Sequence, residues 1–95
     1  ATTENIGYMA GLTKDVFDRT YNALLDVTAG KPVAVYIRAG LDGTGSRKAM
    51  ESILTGLRWR LMRDVLICHG KWDDHFIETV ETLALGLALR VEMGA

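Results

Sequence analysis

Cysteine, proline and histidine are nearly missing from this chain, which holds one cysteine, one proline and two histidines among 95 residues. A single thiol, Cys68, cannot close an internal disulfide, so the disulfide-stapled secreted class is excluded and a reducing compartment is expected. His75 has no second histidine or cysteine at ligand spacing, and no metal site is expected. Net charge is also lacking: a formal −1 gives no electrostatic reason to expect nucleic acid or an anionic membrane as partner. No apolar run approaches the roughly 20 residues of a membrane span, and the first residues lack the basic-then-apolar layout of a signal peptide. The expectation is a soluble, cytoplasmic chain without repeats or low-complexity tracts.

What is present fits one small globular domain over residues 1–95, with 48% apolar and 24% charged residues. The chain begins with a polar stretch, Thr3-Glu4-Asn5-Ile6-Gly7-Tyr8-Met9-Ala10-Gly11, which reads as a ligand loop. Its two glycines let the backbone bend or approach something flat, and Tyr8 and Met9 would be exposed apolar bulk that an aromatic ligand covers. A surface turn capping a helix is the plain alternative. Thr13 is the expected N-cap of the helix that follows, with Phe17, Tyr21, Leu24 and Leu25 on one face and an end near Asp26. Ala29-Gly30-Lys31-Pro32 breaks it.

Val33 to Ile37 is a continuous apolar run, too short for a helix between Pro32 and Gly40, and reads as a parallel strand covered on both faces. Ala39 to Ser46, with Gly40, Gly43 and Gly45, forms a second candidate ligand loop at that strand's carboxyl end, where open α/β sheets bind ligands. Its spacing matches neither the dinucleotide fingerprint nor a Walker motif. Ser46 or Thr44 is expected to cap a helix whose core face is Ala49, Met50, Ile53, Leu54 and Leu57. Arg58 to Arg63 reads as a connection with Trp59 packed beneath it. Val65 to Cys68 reads as a second buried strand, with Cys68 structural and His69 at its carboxyl end. Asp73 or Asp74 should cap the last helix, whose stripe is Phe76, Val80, Leu83, Ala84, Leu87 and Val91, closing at Gly94.

The order helix-strand-helix-strand-helix implies α/β winding with only two strands, where open sheets usually have about four to six. The first strand would then lack a neighbour on one edge, an aggregation hazard. The expectation is a carboxyl-terminal half of a larger doubly wound domain, completed by an N-terminal half or by another copy in a homo-oligomer.

The segment Thr3 to Gly11, followed by Lys14-Asp15-Val16-Phe17-Asp18-Arg19-Thr20-Tyr21 and then Gly30-Lys31-Pro32 before a strand, resembles the flavodoxin-like flavin reductases. The likeness extends to the branch with NADPH-dependent FMN reductases and flavodoxin-type quinone reductases, and it covers nearly the whole chain. Thr3 stands where the family often has proline. The resemblance implies a flavodoxin-like doubly wound parallel sheet of which the C-terminal half is present, and FMN as cofactor. It places Glu4, Asn5, Ile6, Gly7, Tyr8 and Met9 along one side of the flavin ring, with Gly40, Asp42, Gly43 and Thr44 forming the other wall. The family's serine- and threonine-rich phosphate loop lies outside these motifs, so the 95 residues alone are expected to bind FMN weakly and to be inactive by themselves. The implied partners are a nicotinamide cofactor and a small-molecule electron acceptor. Hydride chemistry belongs to the flavin, and no side chain is nominated as catalytic. The competing expectation is a non-enzymatic flavodoxin-like interaction module that pairs through an exposed strand edge.

Overall fold

The computed structural model describes residues 1–94. Its elements are β1 (Thr2–Asn5), β2 (Tyr8–Met9), α1 (Gly11–Leu24), β3 (Pro32–Val33), β4 (Tyr36–Ala39), α2 (Thr44–Leu57), β5 (Arg60–Leu61), β6 (Leu66–His69) and α3 (His75–Glu92). Together they make an α/β domain around a mixed four-stranded sheet of order β2-β1-β4-β6. Strands β1, β4 and β6 are parallel, and β2 runs antiparallel to β1. Helices α1 and α2 are the crossovers that parallel neighbours require. A separate parallel pair sets Pro32 opposite Arg60 and Val33 opposite Leu61.

Alternation along β4 assigns the two faces of the sheet. Ile37 and Ala39 enter the core with Met9, Val35, Met50, Leu54 and Val65, and Phe17 of α1 packs against this cluster. Ile37 is wholly inaccessible, a burial that stabilises by about 1.5–3 kcal/mol relative to exposure. Tyr36 and Arg38 point to the opposite face, where Arg38 lies against Trp72 and Phe76 at the start of α3. Helix α1 buries none of its residues fully, and Leu12 and Val16 on it are exposed.

The structure corrects several expectations. The sheet has four strands rather than two, because the opening segment is a β-hairpin and not an irregular loop. Its turn, Ile6-Gly7, has both residues at positive φ (53° and 72°), the geometry that matches the twist of paired strands. Strand β4 therefore has neighbours on both edges, and the sheet's outer strands are β2 and β6. The run Val33 to Ile37 is not one strand: Pro32–Val33 pairs with β5, and β4 starts afresh at Tyr36.

Helix ends also differ. Ala10, not Thr13, is the N-cap of α1; Thr13 Oγ1 donates instead to Thr2 Oγ1 at 3.0 Å, tying the helix to β1. The carboxyl end of α1 falls near Asp26 as expected, at Leu24, and the left-handed conformation of Asp26 turns the chain away. Gly43 rather than Ser46 or Thr44 is the N-cap of α2. On α3, Asp74 is the N-cap residue, but its carboxylate accepts from Trp72 Nε1, while Asp73 accepts from the His75 amide. Ala84 and Val91 of the expected α3 stripe are exposed. The connection after α2 contains β5, and Trp59 there is half-buried with Nε1 donating to Thr28 Oγ1 at 2.7 Å. Among the described residues no helix is long and apolar enough to cross a membrane.

Candidate functional site

Parallel strands end together, so the segments that follow β1, β4 and β6 emerge on one side of the sheet. The first two are the segments that the sequence marks as ligand loops, and the fold brings them into contact. The Gly7 carbonyl sits on Gly45 so closely that a Cβ there would lie 1.8 Å from the oxygen. From β1, the Glu4 carboxylate crosses to α2, where its Oε2 accepts from the Ser46 amide at 3.0 Å. The Thr44 amide donates to Asp42 Oδ1 at 3.1 Å. Gly43 is required twice over: its φ is +72°, and a Cβ would approach Ile67 Cγ2 to 2.7 Å.

Individual positions behave differently from one another. Asn5, Ile6 and Gly7 are exposed at the hairpin tip, and Tyr8 beside them is 43% accessible. Met9, expected beside Tyr8 as exposed apolar bulk, is 2% accessible and belongs to the core. Alternation on a short strand is the reason, since adjacent side chains leave on opposite faces. Gly40 and Asp42 are exposed, Thr44 is half-buried and Gly43 is buried. At both Gly7 and Gly40 an added Cβ would meet nothing within 4 Å, so the backbone there is open to a flat ligand.

Two further segments frame the loops. The Asp42 carboxyl is held below its ordinary pKa, chiefly by the hydrogen bond from the Thr44 amide and to a smaller degree by the charge of His69. His69, at the carboxyl end of β6, stands in register with Ala39, where the second loop begins. Burial pushes the Cys68 thiol upward against the opposing pull of Arg38. Arg38 gathers the β6 end: Nη1 donates to the carbonyls of Ala39 at 2.6 Å and Cys68 at 3.0 Å, and Nη2 to that of Gly70 at 2.8 Å. Nothing in the sequence motifs singles out this arginine; a lone cation inside an otherwise apolar strand is the signal that could have found it.

Chemically, the paired loops offer exposed peptide groups, one aromatic side chain and two carboxylates, Glu4 and Asp42, already engaged at a helix N-terminus. No three metal-ligating side chains converge among the described residues. A surface cavity of about 790 Å³ lies elsewhere, between Met62–Ile67 and the first half of α3. Exposure of Asn5, Ile6, Gly7, Gly40 and Asp42 makes the facing loops an open wall. No protein-family model matches the chain, and neither the curated proteins nor the solved structures contain a match to it.

Proposed function

We propose that this chain is the carboxyl-terminal part of a flavodoxin-like, FMN-binding oxidoreductase, with the Glu4–Tyr8 hairpin and the Gly40–Thr44 loop as the two walls of the flavin-ring site. The observation that carries the reading is the contact between these loops at the carboxyl end of parallel strands, Gly7 on Gly45. Open space at Gly7 and Gly40 and the exposed Tyr8 ring suit a planar aromatic group, so the residues present fit the ring. When bound, FMN would accept hydride from a reduced nicotinamide and pass electrons to a quinone, free flavin or similar acceptor. The chain's own part would be to bind and orient: Asn5, Ile6 and Gly7 would offer peptide groups to the ring, Tyr8 an aromatic surface, and the Gly40–Thr44 backbone a second wall.

Within these 95 residues nothing resembles a serine- and threonine-rich phosphate loop, so recognition here is of the ring alone. Titrating riboflavin and FMN separately into the purified chain, with flavin fluorescence as readout, tests this. Saturable quenching of similar affinity for both ligands is the expected result; absence of saturation with either one refutes the reading. The alternative, a flavin-free interaction module, draws on the free outer edge of β6. A stable dimer that forms without flavin and is abolished by Ile67→Pro, alongside no flavin binding, would favour it.

A further inference from the structure

Glu4 lies in a segment expected to touch a ligand, yet its carboxylate is already occupied. On the basis of the flavin-site reading, we infer that Glu4 is a positioning residue: it latches the hairpin to the first turn of α2 and so fixes the separation of the two walls. The first turn of a helix leaves amides without intrahelical partners, and its dipole favours a negative charge there. The N-cap of α2 is Gly43, which has no side chain to offer. Two carboxylates supply the acceptors instead. Asp42 takes the Thr44 amide locally, and Glu4 takes the Ser46 amide from 42 residues away.

The surroundings make this contact a fixed one. Gly45, between those two amides, receives the Gly7 carbonyl in the space where a side chain would stand. Ser46 is completely inaccessible with Glu4 in place, so the amide's hydrogen bond to the Glu4 carboxylate is shielded from water. At the other end of the hairpin, the Ala10 amide donates to Thr2 Oγ1 at 3.1 Å and to the Thr3 carbonyl at 3.0 Å, closing its base. With its base closed and its carboxylate engaged, the hairpin has no free hinge between Glu4 and the Gly7 tip. Displacing the latch would move Tyr8 and the Gly7 peptide relative to the Gly40–Thr44 loop. The Ser46 hydroxyl takes no part, since its Oγ has no hydrogen-bond partner.

Four proteins test the latch: the unsubstituted chain, Glu4→Ala, Glu4→Gln and, as a control, Ser46→Ala, which keeps the amide. Amide exchange without flavin is read at Ser46 and Tyr8 against the core amide of Ile37, so that global destabilisation divides out. Riboflavin affinity is then measured by fluorescence quenching. Glu4→Ala is expected to lose about tenfold in relative protection at Ser46 and Tyr8 and a comparable factor in affinity, the loss of one charge-assisted hydrogen bond. Glu4→Gln, which retains an acceptor oxygen, should recover most of both, and Ser46→Ala should match the parent. Unchanged protection in Glu4→Ala overturns the latch. So does a Glu4→Gln protein that keeps protection but binds riboflavin as poorly as Glu4→Ala, because the carboxylate would then act on the ligand directly. If the parent chain binds no riboflavin, the flavin reading fails, while the exchange data still decide whether Glu4 holds the two loops together.

Discussion

Arg38 Nη2 donates to the carbonyl oxygen of Gly70 at 2.8 Å, joining the middle strand to the turn that leads into α3. The guanidinium also lies 5.8 Å from the Trp72 ring centroid and 5.2 Å from that of Phe76, and those two rings meet edge-on with centroids 5.6 Å apart. One planar cation thus satisfies strand-end carbonyls and lies over two aromatic rings, a combination that lysine cannot reproduce. Arg38→Lys is expected to lower stability by about 1–3 kcal/mol. A urea titration followed by tryptophan emission reads this as a lower midpoint with the slope retained; an unchanged midpoint contradicts the role given to the fork.

Glycine-to-alanine substitutions should act with opposite signs at two helical positions. At Gly45 a Cβ would meet the Gly7 backbone oxygen, which cannot rotate away as a side chain can. Gly45→Ala should therefore destabilise by about 1–3 kcal/mol. At Gly86, in α3, nothing lies within 4 Å of the added carbon. Gly86→Ala should stabilise by about 0.5–1 kcal/mol through lower unfolded-state entropy. Thermal denaturation of the pair checks both signs together.

Acid should expose the role of Asp42. Its pKa in the folded protein lies below the ordinary 3.8, first because the Thr44 amide donates to the ionised carboxylate. A depressed folded-state pKa makes the unfolded chain bind the proton more readily. The contribution is therefore complete above the unfolded-state value and disappears as pH falls below it towards the folded one. Melting temperatures of the parent and Asp42→Asn, measured from about pH 6 down to about pH 2, should differ at the upper end and converge at the lower. A gap that stays constant across the range would show that the carboxylate's ionisation is irrelevant.

Cys68 should behave as a buried thiol and not as a reactive one. It is 3% accessible, and desolvation raises its pKa. Thiolate is the reacting species, so both effects suppress modification in the native state. With Ellman's reagent at about pH 8 the native chain should react at a rate limited by opening, and increasing urea should speed the reaction towards that of a free thiol. Rapid stoichiometric labelling without denaturant would place Cys68 at the surface.

Helix positions were legible because their signal is long and periodic. Phe17, Tyr21 and Leu24 on α1, and Met50, Leu54 and Leu57 on α2, recur at helical spacing and all turn inward. The hairpin was not legible. Its strands offer only four and two residues, and its turn is Ile6-Gly7 in place of the asparagine-glycine or aspartate-glycine pairs that announce such turns. The break inside Val33 to Ile37 was equally hidden, since an apolar run looks the same whether it feeds one sheet or two. Helix caps differ from expectation for a related reason: Thr13 and Ser46 have the right chemistry, but Thr2 engages one side chain and burial isolates the other.

By itself the sequence determined the three helices, the parallel crossovers between them and the two glycine-bearing segments from which a site would be built, because periodicity and backbone freedom are local properties. Tertiary structure alone decided that these segments touch, that Met9 turns inward while Tyr8 stays out, and that Glu4 is spent on the Ser46 amide. Those outcomes depend on which strand lies beside which. Strand order is fixed by the balance of core packing around Ile37 and Ala39, and no short stretch of sequence encodes that balance.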